Sequence, residues 1–117
     1  MDITLHKNVY FDYLWVDDLI KIISFFIEKD NLRYKRYNVC RGEKVDLYSL
    51  AVQVKKTLDS ECSILVGEAG WKREYTADNN RMLNEMNGLS FTKLEVTIAE
   101  LCEYYKEHLS EIVTEKL

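Results

Sequence analysis

Val9-Tyr10-Phe11-Asp12-Tyr13-Leu14-Trp15-Val16 runs straight into Asp17-Asp18-Leu19-Ile20-Lys21-Ile22-Ile23-Ser24-Phe25-Phe26-Ile27. The first eight residues are rich in aromatic and β-branched side chains, which suit a pleated strand. In the second stretch Leu19, Ile22, Ile23, Phe26 and Ile27 recur at the spacing of one helical face, and Ile20 and Phe25 widen it. That pattern predicts a helix buried along most of its girth. Asp17 and Asp18 stand at the junction, where a carboxylate can accept from the free N–H groups of a first turn and meets the positive end of the helix dipole. They are the expected caps.

The same alternation continues outward. Polar residues 28 to 36 lead to Tyr37-Asn38-Val39-Cys40, a short strand closed by Arg41-Gly42. Asp46 then precedes Leu47, Leu50, Ala51, Val54 and Leu58, which predicts a capped helix ending near Asp59-Ser60. Ser63-Ile64-Leu65-Val66 reads as another strand, with Gly67 and Gly70 freeing the backbone to turn. Asp78 can cap a short helix carrying Met82, Leu83 and Met86, with Asn87-Gly88 as its stop. Thr92 and Glu95 have the spacing of a capping box. The stripe Leu94, Ile98, Leu101, Cys102, Tyr105, Leu109 and Ile112 predicts a terminal helix of about four to five turns. Strands alternating with four helices over one 117-residue domain argue for an α/β class.

Composition excludes several functions. Twenty acidic against sixteen basic side chains give a net charge of −4, without the basic excess of a nucleic-acid binder. The longest apolar run, Leu19 to Ile27, is interrupted by Lys21 and falls far short of the roughly 20 residues of a membrane span. No signal-peptide pattern opens the chain, so a soluble cytoplasmic protein is expected. Cys40, Cys62 and Cys102 are widely spaced, with only His6 and His108 to join them, so they read as core thiols and not as a zinc site.

Catalytic patterns are missing as well. Four glycines, at positions 42, 67, 70 and 88, cannot form the G-x-G-x-x-G turn that brings backbone N–H groups to a dinucleotide pyrophosphate. None of the eight tyrosines is followed four residues later by lysine, the pair that favours an ionised phenol in short-chain dehydrogenases. His6 and His108 lie in polar, exposed sequence near the two ends. The run Trp71-Lys72-Arg73-Glu74-Tyr75 joins two cations to two aromatics. Such cations can hold a diphosphate. The same residues also read as a solvated loop with Trp71 tucked in.

These pieces, taken in order from Ile3 to Leu109, resemble the C-terminal part of the extended short-chain dehydrogenase family, the NAD-dependent nucleotide-sugar epimerases and dehydratases. Phe11-Asp12-Tyr13-Leu14-Trp15-Val16-Asp17-Asp18-Leu19 is similar to the family's Arg-Asp-aromatic-x-aromatic-Val-x-Asp block. Tyr37-Asn38-Val39 with Gly42 resembles its strand and glycine turn, with Cys40 in place of the first glycine. Tyr75-Thr76-Ala77-Asp78 with Met82-Leu83, and Phe91-Thr92 with Leu94-Glu95 through Tyr104-Tyr105, resemble its closing blocks.

The resemblance implies the substrate lobe of such an enzyme, inactive alone, with no catalytic, cofactor-binding or metal-binding residue of its own. NAD or NADP and the catalytic tyrosine would belong to an N-terminal Rossmann domain of the parent chain, absent from residues 1–117. The helix after Asp18 and the strand around Asn38 would complete that domain. By the same resemblance Tyr13 faces the nucleotide-sugar substrate, and Lys72 and Arg73 are the candidate diphosphate contacts. Two departures stand out: the family's substrate-binding arginines correspond here to Phe11 and Glu68. A freestanding binding or assembly module derived from the fold is the alternative. In either case the apolar helix face implies self-association of the isolated chain.

Overall fold

The computed structural model describes residues 2–112. In chain order the elements are β1 (Ile3–Asn8), β2 (Tyr10–Asp12), α1 (Val16–Glu28), β3 (Lys44–Asp46), α2 (Leu47–Thr57), β4 (Ile64–Trp71), α3 (Asn80–Met86) and α4 (Leu94–Glu107), followed by a 3-10 turn over Leu109–Glu111. The α/β class and the four helices are as expected.

Two small sheets carry the strands. In one, β1 pairs in parallel with β4, from Ile3 opposite Ile64 to Asn8 opposite Trp71, with a bulge between Lys7 and Asn8. In the other, β2 pairs antiparallel with β3, Tyr10 opposite Asp46 and Asp12 opposite Lys44. Val9 lies between β1 and β2, and its carbonyl accepts from Leu47 N at 3.0 Å, which ties the two sheets to the start of α2. Helix α2 packs on β1, β3, β4 and α4. The buried apolar residues are Leu5, Val9, Ile22, Cys40, Ala51, Met82 and Ile98.

Several sequence expectations need correction. The strand expected over 9–16 is only three residues long, because β3 offers just three partners. Tyr13 to Trp15 then belong to no strand, and Trp15, in an extended conformation, takes the N-cap position of α1. Neither Asp17 nor Asp18 caps that helix. Asp18 is 1% exposed and accepts instead from Thr92, at 2.9 Å from the backbone N–H and 2.8 Å from the hydroxyl. This commits Thr92 to α1, so no capping box forms and α4 starts without a side-chain cap. Of the α4 stripe, Leu109 falls in the 3-10 turn and Ile112 beyond it.

Tyr37 to Cys40 belongs to neither sheet. The long connection between α1 and β3 is held by side chains. Arg41 N and Gly42 N donate to the Asp12 carboxylate at 2.8 and 2.7 Å. The Asn79 amide donates to the Cys40 carbonyl at 3.0 Å, and the Asn38 amide to the Asp78 carbonyl at 3.0 Å. Gly42 has a φ of +85°, and a Cβ there would lie 2.7 Å from the Asn79 amide, so both conformation and space require glycine.

Strand β4 extends through both glycines that were expected to end it. Gly70, at φ +85°, instead sits at the bulge. Asp46 does cap α2, accepting from Ser49 N at 3.0 Å. Asp78 accepts from Asn80 N at 2.7 Å at the head of α3, and Asn87 and Gly88 end that helix with positive φ. Of the three thiols only Cys40 is buried.

Helix α1 departs furthest from expectation. Only Asp18 and Ile22 are buried on it, while Ile20, Ile23 and Ile27 are 55, 48 and 78% exposed. The accessible surface is 9018 Å² for 13.9 kDa. A folded monomer of that mass exposes roughly 6,700 Å².

Candidate functional site

Tyr13 lies where the end of β2 meets α2 and α4. It lines an apolar cavity of about 180 Å³ with Leu14, Trp15, Leu50, Ile98 and the one cation Arg41. Burial, and then the Asp46 carboxylate, push the Tyr13 phenol above its usual range. At neutral pH it is a hydrogen-bond donor. Arg41, which sequence reasoning used only as a turn residue, keeps a mostly covered side chain, with Nε 3.4 Å from the Glu43 carboxylate.

Lys72 and Arg73 follow β4 in an exposed segment and do not line the Tyr13 cavity. The structure therefore does not gather the three expected substrate residues into one pocket. It links their surroundings through aromatic rings: Phe11 meets Tyr13 edge-on at 5.8 Å and Tyr75 at 6.4 Å. Trp71 is not tucked in. It is 54% exposed and stacks on Tyr10 with ring centroids 4.6 Å apart.

At the two positions where the resemblance leads one to expect arginine, Phe11 on β2 presents an apolar ring to Tyr13 and Tyr75. Glu68 on β4 carries a carboxylate 3.7 Å from both His6 and Lys7. A second opening, of about 540 Å³, is lined by Asp12, Asn38, Cys40 and Tyr75 among others. Burial, then Asp12, raise the Cys40 thiol, so it is a poor nucleophile.

The one glycine turn ahead of α2, Arg41-Gly42, already gives its two N–H groups to the Asp12 carboxylate, which would repel a pyrophosphate. No cluster of three His, Cys, Asp or Glu side chains able to hold a metal occurs among the described residues.

Behind the site, Glu85 fastens α3 to the connection that follows α1. Its Oε2 accepts from Tyr37 at 3.0 Å and from Arg33 N at 3.3 Å, and Lys29 Nζ lies 2.9 Å from Oε1. Lys29 foremost, followed by the Tyr37 and Arg33 donors against the cost of burial, holds the Glu85 carboxyl below its ordinary range. A depressed carboxyl pKa contributes stability above the unfolded value near 4.5, which is lost as pH falls through the folded value. We expect the thermal midpoint to drop on acidification below that pH less steeply in Glu85→Gln than in the unaltered chain. Parallel pH profiles would remove this role from Glu85.

No family model and no curated relative matches the sequence. Solved structures do. The Bordetella bronchiseptica enzyme WbmH, determined in complex with NAD+, overlays on 92% of this chain with a TM-score of 0.72 at 19% identity. RMD from Pseudomonas aeruginosa, complexed with NADPH, overlays on 92% with a TM-score of 0.77 at 15% identity. The chain has the α/β fold of part of each of these two proteins. It spans only 36% of the length of either one. No helix of the described residues is long and apolar enough to cross a membrane.

Proposed function

We propose that this chain is the substrate-side, C-terminal portion of an NAD(P)-dependent epimerase or dehydratase acting on a nucleotide-activated sugar. Hydride and proton chemistry would reside in a Rossmann domain outside residues 1–117, and the portion itself would be catalytically silent. The observation that carries this reading is the overlay of nearly the whole chain on about a third of two cofactor-bound proteins. The surplus surface supports it, because Ile20, Ile23 and Ile27 form an apolar face on α1, and Tyr37 to Val39 run beside it without a strand partner among the described residues. A sheet with a free edge would take both.

Calorimetric titration with NAD+ tests the division of labour. The isolated chain is expected to give no saturable heat, and micromolar binding would overturn the reading. Light scattering tests the exposed face: the apparent mass is expected to rise with concentration, and a constant monomer mass would show that α1 needs no cover.

One observation favours a second reading. By the resemblance, Phe11 and Glu68 take the positions of the family's arginines, and a ring edge-on to Tyr13 and a carboxylate beside His6 and Lys7 also suit a non-catalytic binding or assembly module derived from the same fold.

A further inference from the structure

Arg41 is the single cation on a cavity otherwise walled by hydrocarbon. The cavity, about 180 Å³, lies between α2 and α4, with Leu50, Ile98 and Leu101 on its apolar side and Tyr13 and Trp15 where the chain leaves β2. Its size sets it apart from a nucleotide-sugar site, because pockets for drug-sized ligands run from roughly 300 Å³ upward. An apolar cavity of about 150 Å³ stays dry and admits a single small ring. A body of that size fits here.

The polar groups on this cavity are donors left unspent. The Arg41 side chain is 15% exposed, and its charge partner among the described residues is the Glu43 carboxylate, 3.4 Å from Nε and itself 73% exposed. A pair so open to water neutralises little. Neither the two Nη groups of Arg41 nor the Tyr13 hydroxyl, which stays protonated at neutral pH, makes a hydrogen bond among the described residues. The Thr97 hydroxyl is already given to the Leu94 carbonyl at 2.8 Å. No carboxylate lines the cavity, and Asp46, whose charge reaches Tyr13, is occupied by Ser49 and Asn8. A mostly covered guanidinium with free N–H groups is costly until an acceptor meets it.

We propose that this cavity binds a small monocarboxylate with an apolar body, its carboxylate meeting Arg41 and the Tyr13 hydroxyl and its hydrocarbon part lying against Leu50, Ile98 and Leu101. The planar carboxylate matches the fork of a guanidinium. A phosphate dianion would leave water for a hydrocarbon wall with one cation to balance two charges. This ligand is separate from a nucleotide-activated sugar, and the inference goes beyond the substrate-side reading.

Heteronuclear NMR on the 117-residue chain tests this, because Trp15 lines the cavity and Trp71 does not. The two indole N–H signals are assigned with Trp71→Phe. Benzoate is the probe, and benzyl alcohol, the same ring without the charge, is the control. The Trp15 signal is expected to shift saturably with benzoate, at a Kd of about 1 mM or below, while that of Trp71 stays. Benzyl alcohol should bind about tenfold more weakly, the scale of one charge-assisted hydrogen bond. Arg41→Met, which keeps an apolar stem, should cost benzoate the same factor and leave the control within about twofold. Leu101→Phe, which narrows the cavity, should abolish the Trp15 shift for both ligands. The absence of a saturable Trp15 shift overturns the site, as does equal affinity for the two probes or benzoate binding that Arg41→Met leaves unchanged. Those results leave the substrate-side reading standing, since it does not draw on this cavity.

Discussion

Replacing Asp18 by alanine is expected to destabilise the chain by about 3 kcal/mol, read from urea denaturation at neutral pH. The carboxylate is almost fully enclosed and accepts two hydrogen bonds from Thr92, across 74 positions of sequence. Lys21 is 3.9 Å away and mostly exposed, so its contribution is small. Truncation removes both bonds and strands the Thr92 N–H where α4 begins. Asp18→Asn should cost less than the alanine variant, because one oxygen still accepts while the new amide faces a donor. Thr92→Val, which removes only the hydroxyl bond, should cost about 1 kcal/mol. A loss under about 0.5 kcal/mol in Asp18→Ala would mean that α1 and α4 are joined by something else.

The second large effect separates two isoleucines on one helix. Ile22 is 1% exposed and Ile27 is 78% exposed. Ile22→Ala deletes buried methyl groups and leaves a cavity, at a cost of about 3 kcal/mol. Ile27→Ala should change the stability of the isolated chain by less than about 0.5 kcal/mol. It should instead weaken self-association, because its side chain is available only to a partner. Comparable destabilisation by the two variants would indicate that α1 is covered within the monomer, against the proposed docking face.

That contrast also shows what could be read in the sequence. The apolar periodicity of residues 19–27 correctly predicted a helix, yet it could not say which body covers each side. Ile22 faces this chain, and Ile20, Ile23 and Ile27 face outward. Asp46 was legible as a cap because its partner, Ser49, is local. Asp18 and Thr92 look like caps by the same local rule, but a distant pairing claims both. Local patterns rank only local partners, and the burial of a carboxylate against another segment lies outside them.

The strands follow the same division. Residues 3–8 carry no pattern long enough to identify β1, which exists because β4 lies beside it. Tyr37 to Cys40 has the composition of a strand and finds no strand to pair with among the described residues. In the site, Lys72 and Arg73 were legible as cations, and their separation from the Tyr13 cavity was not. The Tyr10–Trp71 stack joins residues on different strands and leaves no signature in spacing.

Reading the gene immediately upstream of the codon for Met1 tests the central claim most directly. The account predicts an in-frame extension of about one Rossmann domain, with a glycine-rich strand–turn–helix and a Tyr-x-x-x-Lys pair. An in-frame stop codon directly ahead of Met1 would contradict it and leave a freestanding module.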